Sequence, residues 1–143
     1  MAETVRTLES KLAWPRSLTE YLQTELHAHF DVAWVTGYEP LIAKMTNQGK
    51  DRHVLAAAVH ASAPVIVTFN LRHFGPEHAS QWGVTAVHPE SFLTDLFAQD
   101  PDLVQTKLEA QASDRGRRVT QLLSTLGATV PDFVALASSR FQT

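Results

Sequence analysis

The apolar residues change their spacing along the chain, and these changes predict a mixed α/β fold. Residues 65–69 form an apolar run rich in β-branched residues, without alternation. Such a run is typical of a strand that is covered on both faces, as in a parallel sheet. The alanine-rich segment 54–63 before it predicts a helix that packs closely on the sheet. A second, shorter strand is predicted at 84–87.

Helical periodicity and turn residues predict the other elements. In the predicted second helix, five apolar residues share one side: Leu18, Tyr21, Leu22, Leu26 and Phe30. A short strand is predicted at 32–35 and mostly loop at 37–50. Helices are predicted at about 2–13, 16–30, 77–82 (one turn), 89–99, 101–113, 119–126 and 131–140.

The polar break at 114–118 predicts the boundary between two parts of the chain. It separates an α/β body at 1–113 from a helical tail at 114–143. Few apolar strands between helices predict a three-layer arrangement around a short parallel sheet.

Bulk composition narrows the class of protein. A chain of 143 residues with 44% hydrophobic residues fits one domain with a real core. It has no cysteine and a formal charge of −3, which argues against nucleic-acid binding by net charge alone. We see no signal peptide and no apolar run of the ~20 residues that would span a bilayer. These features predict a cytoplasmic protein without membrane association.

The candidate chemistry lies around the predicted central strand. Asp51 opens the alanine-rich helix, whereas Asn70 and His73 follow the strand. Open α/β sheets bind ligands outside the carboxyl ends of their strands. We therefore expect Asp51 to lie near Asn70 and His73.

These residues also carry a family resemblance. Residues 51–58, Asp-Arg-His-Val-Leu-Ala-Ala-Ala, and residues 67–74, Val-Thr-Phe-Asn-Leu-Arg-His-Phe, resemble the PIN-domain nucleases, particularly VapC-like toxins of toxin–antitoxin pairs. The resemblance extends from about Glu3 to Leu96. It implies a PIN-like fold in which clustered carboxylates hold Mg²⁺ or Mn²⁺ for RNA cleavage.

The resemblance implies a role for four residues. Asp51 matches the family's third acid, and the alternative for it is a plain helix cap. Glu3 matches the second acid, and its alternative is a solvated residue near a helix start. His73 stands where the family has a fourth acid, so it is a metal ligand that favours Mn²⁺ or an ordinary histidine at a strand end. Asn70 orients a ligand or water, or simply ends the strand.

Basic residues near this site are candidates for RNA contact. Arg52 and Arg72 flank the predicted ligands in the sequence. The arginines at 115, 117 and 118 could also contact phosphates, but such a charge run is more often a solvated loop.

The family's first strand and its acid have no counterpart in the chain. A split coding region with an upstream peptide, a degenerate remnant and a late start are three competing explanations. A missing strand would leave an unpaired sheet edge, which invites pairing with another chain. We therefore expect a homo-oligomer, or a partner that is an antitoxin or an upstream peptide.

Three functional hypotheses follow. The first is a metal-dependent endoribonuclease of the toxin–antitoxin type whose active site is incomplete or weakened. The second is a non-catalytic PIN-like interaction module, or a subunit completed by a partner peptide. The third is an α/β domain whose function lies in the helical tail. The number of carboxylates at the site distinguishes the first hypothesis from the second.

Overall fold

The computed structural model describes residues 2–141, and their side chains from residue 4 onward. The chain divides into two compact units, Met1–Gly37 and Tyr38–Thr143. Within the described residues, no helix combines the length and the apolar character that a membrane span requires.

The first unit contains two helices and a short 3₁₀ turn. Helix α1 spans Ala2–Lys11 and helix α2 spans Arg16–His29, followed by the turn Asp31–Ala33. Pro15 immediately precedes α2. Both helices begin and end close to their predicted bounds.

The strand predicted at 32–35 is wrong. Asp31 Oδ1 accepts a hydrogen bond from the Val32 backbone N–H at 2.7 Å, at the start of the 3₁₀ turn. The Trp34 ring stacks on His27, with ring centroids 3.7 Å apart. These local contacts replace strand pairing, which needs a neighbouring strand that this segment lacks.

The apolar side predicted for α2 does not form a buried face. Leu18, Tyr21 and Phe30 are all exposed, and the buried residue of this helix is Thr19. The Thr19 hydroxyl donates to Glu9 Oε1 at 2.6 Å, so a polar contact links α2 to α1.

The second unit contains both strands of the sheet. Strand β1 is Val65–Val67 and strand β2 is Thr85–Val87. Short 3₁₀ turns occupy Gly49–Asp51, Leu71–Phe74 and Ser80–Trp82. The helices are α3 (Glu39–Ile42), α4 (Arg52–His60), α5 (Pro76–Ala79), α6 (Pro89–Gln99), α7 (Pro101–Asp114), α8 (Val119–Leu126) and α9 (Pro131–Ser138).

The two strands pair in parallel, with Ile66 opposite Ala86 in the register. A parallel pair needs a crossover connection. Here the crossover consists of the turn Leu71–Phe74, helix α5 and the turn Ser80–Trp82. The predicted α/β class, with a short parallel sheet and a helical tail, is confirmed.

The prediction that residues 65–69 are covered on both faces is wrong. Ile66 is buried, but Val65 is 38% exposed and Val67 is 43% exposed. In the described chain, β1 pairs with β2 alone, so one edge of β1 is free. The apolar run therefore predicts the position of the strand correctly, but the elements that pack around the strand decide how deeply it is buried.

Two apolar clusters organise the second unit. The first surrounds β1, α4 and the crossover, with Leu55, Ile66 and Phe74 among its buried residues. The second holds α6–α9 together around Leu108, Leu123 and Phe133. Helices α8 and α9 thus share a core with α6 and α7. The boundary at 113/114 stays a prediction.

Candidate active site at the carboxyl end of the sheet

Asp51 lies at the junction between a 3₁₀ turn and helix α4. It occupies the N-cap position of α4, with φ −107° and ψ 0°, yet its side chain makes no capping hydrogen bond. An N-cap aspartate normally accepts a hydrogen bond from a free backbone N–H of the first turn. The Asp51 carboxylate therefore does not act as a plain helix cap, which was the alternative role for this residue.

His73 lies in the 3₁₀ turn that follows β1. Its backbone N–H donates to the Asn70 carbonyl at 3.0 Å, and the next residue, Phe74, is buried in the first apolar cluster. This anchoring places the imidazole against Asp51, with His73 Nδ1 and Asp51 Oδ2 2.8 Å apart. The structure thus brings together two of the residues named from the sequence.

The contact between these two side chains is an unusual one. Both atoms are shielded from solvent, and their separation is that of an ion pair, or of a hydrogen bond from a protonated Nδ1 to the carboxylate. With neither a proton nor a metal ion between them, two shielded acceptor atoms would face each other, at a cost of about 1–3 kcal/mol. A positive charge between the two atoms, either a proton or a metal ion, would remove this cost.

The spacing and chemistry of the pair fit part of a metal site. Ligands at ~2.1 Å and at right angles around an ion place adjacent donor atoms about 3 Å apart, and the Asp51–His73 separation is 2.8 Å. A carboxylate oxygen and an imidazole nitrogen together suit Mn²⁺ better than Mg²⁺. Among the described side chains, however, no group of three or more potential ligands comes together. The pair therefore fits a metal ion but does not complete its coordination.

The other predicted ligand and orienting residues contribute less. The side chain of Glu3 lies outside the described part of the structure. Asn70 is exposed, and the hydrogen bonds that the structure gives it are made by its backbone: the N–H donates to Thr68 Oγ1 and the carbonyl accepts from the His73 N–H, both at 3.0 Å. The roles of Asn70 and Glu3 stay predictions.

The two arginines predicted to contact RNA differ from each other. Arg52 is partly buried, and its Nε donates to the Asn47 carbonyl at 2.9 Å, which holds the loop before Asp51. Arg72 is exposed in the same turn as His73. Arg72 is thus the more accessible of the two guanidinium groups.

Asn47 is not among the candidate residues that the sequence pattern indicates. This residue is 1% exposed, and neither its side-chain nitrogen nor its side-chain oxygen has a hydrogen-bond partner in the described structure. Buried polar groups are normally satisfied, so an unpaired amide is a notable exception. Its position between Thr46 and Gly49 resembles an ordinary turn, and no signal in the sequence distinguishes it from one.

Comparison with known proteins identifies the family. The chain is 37% identical over 136 residues to a Mycobacterium tuberculosis protein named "Putative ribonuclease VapC50". The alignment covers 92% of this chain and 80% of that protein. The chain belongs to the VapC family of PIN-domain ribonucleases. No family model matches the chain, and no solved structure matches it.

Membership of the VapC family confirms the resemblance seen in the sequence. The alignment covers nearly the whole chain, whereas the resemblance was seen from about Glu3 to Leu96. The VapC-like segments at 51–58 and 67–74 contain the two residues that meet in the structure, Asp51 and His73.

Proposed function

We propose that this VapC-family chain is a metal-dependent endoribonuclease of the toxin–antitoxin type with a weakened active site, acting in the cytoplasm. Asp51 and His73 would bind the ion, with Glu3 as a further ligand. Asn70 would orient a ligand or water, and Arg52 and Arg72 would contact RNA. The proposed catalytic region is the PIN-like body at 1–113, with the tail at 114–143 as an added helical part.

The observation that carries this proposal is the contact between Asp51 Oδ2 and His73 Nδ1 at 2.8 Å, with both atoms shielded from solvent. A residue that served only to begin a helix would direct its carboxylate to the first turn of that helix. Asp51 instead faces a histidine from a different element. Ion-ligand pairs from separate elements are typical of a functional site rather than of local capping.

Each residue would have a separate task. Asp51 supplies the negative charge, and the buried Phe74 fixes the turn that presents the His73 nitrogen. A divalent ion bound there would polarise a phosphodiester and lower the pKa of bound water. Because His73 adds no negative charge where the family has an acid, we expect Mn²⁺ to bind better than Mg²⁺ and cleavage to be slow.

The family indicates an antitoxin and RNA as partners, and the free edge of the sheet indicates a further protein contact. An antitoxin is the expected protein partner, and RNA is the substrate. The free edge of β1 suits an added strand, from a second copy of the chain or from a partner peptide. An added strand would satisfy the unpaired backbone groups of that edge.

The alternative function is a non-catalytic interaction module. It is favoured by the same free edge and by the lack of a third ligand among the described side chains. In this alternative, the chain keeps the PIN-like fold for protein contacts and binds no divalent ion by itself.

Titration calorimetry with Mn²⁺ and Mg²⁺ tests the proposal. The unmodified chain should bind Mn²⁺ more tightly than Mg²⁺, Asp51→Asn should lose binding, and His73→Asp should gain Mg²⁺ affinity because it adds a hard, charged oxygen ligand. Asp95→Asn, a change at an exposed aspartate in α6, is the matched control and should bind as the unmodified chain does.

RNA cleavage with the same four proteins completes the test. Slow Mn²⁺-dependent cleavage that Asp51→Asn abolishes and Asp95→Asn leaves intact would support the enzyme. If no divalent ion binds and no RNA is cleaved, the interaction module replaces the enzyme as the function.

A further inference from the structure

Phe69 is a large apolar side chain in an unexpected place. It is the second residue after β1, beyond the carboxyl end of the strand, and it is 59% exposed. Exposure of an aromatic ring loses the gain from its burial, which for such a ring is about 1.5–3 kcal/mol. It belongs to the same segment after β1 as His73, four residues before it.

The Phe69 ring is held by a second ring. It makes an edge-to-face contact with His88, with ring centroids 5.1 Å apart and an interplanar angle of 85°. His88 is itself fixed, because its Nδ1 accepts a hydrogen bond from the Glu90 backbone N–H at 3.1 Å at the start of α6. An aromatic ring braced in this way loses little freedom when a second flat group stacks on it.

The backbone around Phe69 is also fixed. The Asn70 N–H donates to Thr68 Oγ1, and the His73 N–H donates to the Asn70 carbonyl, both at 3.0 Å. Four residue steps separate Phe69 from His73, so the two Cα atoms lie within about 14 Å of each other. The exposed Arg72 lies between them in the sequence.

We propose that Phe69, braced by His88, is a platform on which an unpaired nucleobase of the RNA substrate stacks. Aromatic side chains bind single-stranded RNA in this way, and stacking tolerates different bases because every base has a flat face. Arg72 would contact an adjacent phosphate. The inference rests on the proposed function, since it names how the substrate of that same site is held.

Binding of a short fluorescent single-stranded RNA, measured by anisotropy in the presence of a chelator, tests this inference without cleavage. Phe69→Leu keeps an apolar side chain but removes the ring, and it should weaken binding about tenfold. Phe69→Trp should retain the affinity. Phe30→Leu is the matched control, because Phe30 is 57% exposed but lies in the other unit, and it should have no effect.

A second readout separates stacking from a structural role. The oligonucleotide is prepared as a series in which one position at a time lacks its base. One such removal should weaken binding to the unmodified chain and to Phe69→Trp, but not to Phe69→Leu, where the stacking is already lost. Thermal melts of all variants should coincide.

Three results would overturn the platform. The first is equal RNA affinity of Phe69→Leu and the unmodified chain. The second is no RNA binding by the unmodified chain. The third is a change of self-association in Phe69→Leu without a change of RNA affinity, which would assign Phe69 to a protein interface.

The platform and the enzyme can fail independently. If metal-dependent cleavage occurs while Phe69→Leu binds RNA normally, the proposed function stands and the platform falls. If Phe69→Leu weakens binding but no ion supports cleavage, the platform stands and the nuclease activity falls.

Discussion

Two regions of the second unit differ in how well their shielded polar side-chain groups are hydrogen-bonded. In the described structure, the shielded side-chain atoms that are outside any assigned hydrogen bond all lie in the site region, residues 45–88. They belong to Asn47 and Trp82, and to Asp51 and His73, whose atoms face each other as an ion pair. The helical layer, residues 89–141, contains none of them. Yet both regions have well-buried apolar clusters.

In the helical layer, acidic side chains accept hydrogen bonds from backbone N–H groups. Asp100 Oδ1 accepts a hydrogen bond from the Leu103 N–H at 2.9 Å at the start of α7. Glu90 Oε1 accepts one from the Phe133 N–H at 2.6 Å and so links α6 to α9. In the site region, Asp51 holds the equivalent capping position but does not cap.

The contrast separates a capped helix from an uncapped one. Asp100 caps its helix in the helical layer, whereas Asp51 does not cap its helix in the region where we propose the active site. The shielded polar groups that are least satisfied also lie in the site region, and the two amide atoms of Asn47 are among them.

The strongest test of this contrast is Phe133→Ala in the helical layer. Phe133 is 2% exposed, and removal of a buried ring costs about 3–5 kcal/mol because it leaves a cavity. Urea denaturation should show this loss in the free energy of unfolding. Leu136→Ala on the same helix is the control and should cost about 1 kcal/mol or less, because Leu136 is exposed. Equal losses for the two variants would mean that α9 does not pack as the structure shows.

A smaller effect is expected at the Glu90 link between α6 and α9. Glu90→Ala removes the acceptor for the Phe133 N–H, and loss of a hydrogen bond to a charged group costs about 1.5–3 kcal/mol. Glu90→Gln keeps a side-chain oxygen and should recover much of this stability. Thermal melts of both variants check the prediction. An unchanged melting temperature for Glu90→Ala would show that this contact does not stabilise the helical layer.

The smallest effect on stability is expected at Asp51, although its functional effect should be large. Asp51→Asn keeps the shape of the side chain but removes the charge that faces His73, so the free energy of unfolding should change by about 1 kcal/mol or less, and an increase would fit the proposed functional role of Asp51. Denaturation in the presence of a chelator measures this change without bound metal. A loss above about 2 kcal/mol would show that the carboxylate is structural and would remove the contrast between the two regions.

The sequence predicted the helices well because their signals are local. Helix α6 was predicted at 89–99 and α8 at 119–126, and both are found there. Proline in the first turn and periodic apolar residues act within a few residues of each other, so they need no tertiary information. The same holds for strand β1, which was found inside its predicted range.

The failures arise where a distant partner decides the outcome. The segment 32–35 has strand-like residues, but within the described chain it pairs with no strand, and a 3₁₀ turn forms at Asp31–Ala33. Val65 and Val67 are as apolar as a central strand requires, but they lie on the face of β1 opposite the buried Ile66, and that face is exposed. The burial of a residue depends on its neighbours in the folded chain, and the chemistry of its own side chain does not specify those neighbours.

For the candidate site too, some features could be predicted from the sequence and others depend on the tertiary structure. The sequence by itself determined that Asp51 begins a helix and that His73 follows a strand, and from the topology of such folds it predicted that the two would be close. Only the tertiary structure decided that Asp51 leaves its own helix uncapped and faces His73 at 2.8 Å, and that Asn47 is buried without a partner. A capping bond and a contact across elements compete for the same carboxylate oxygen, and the geometry of the packed chain determines which of them forms.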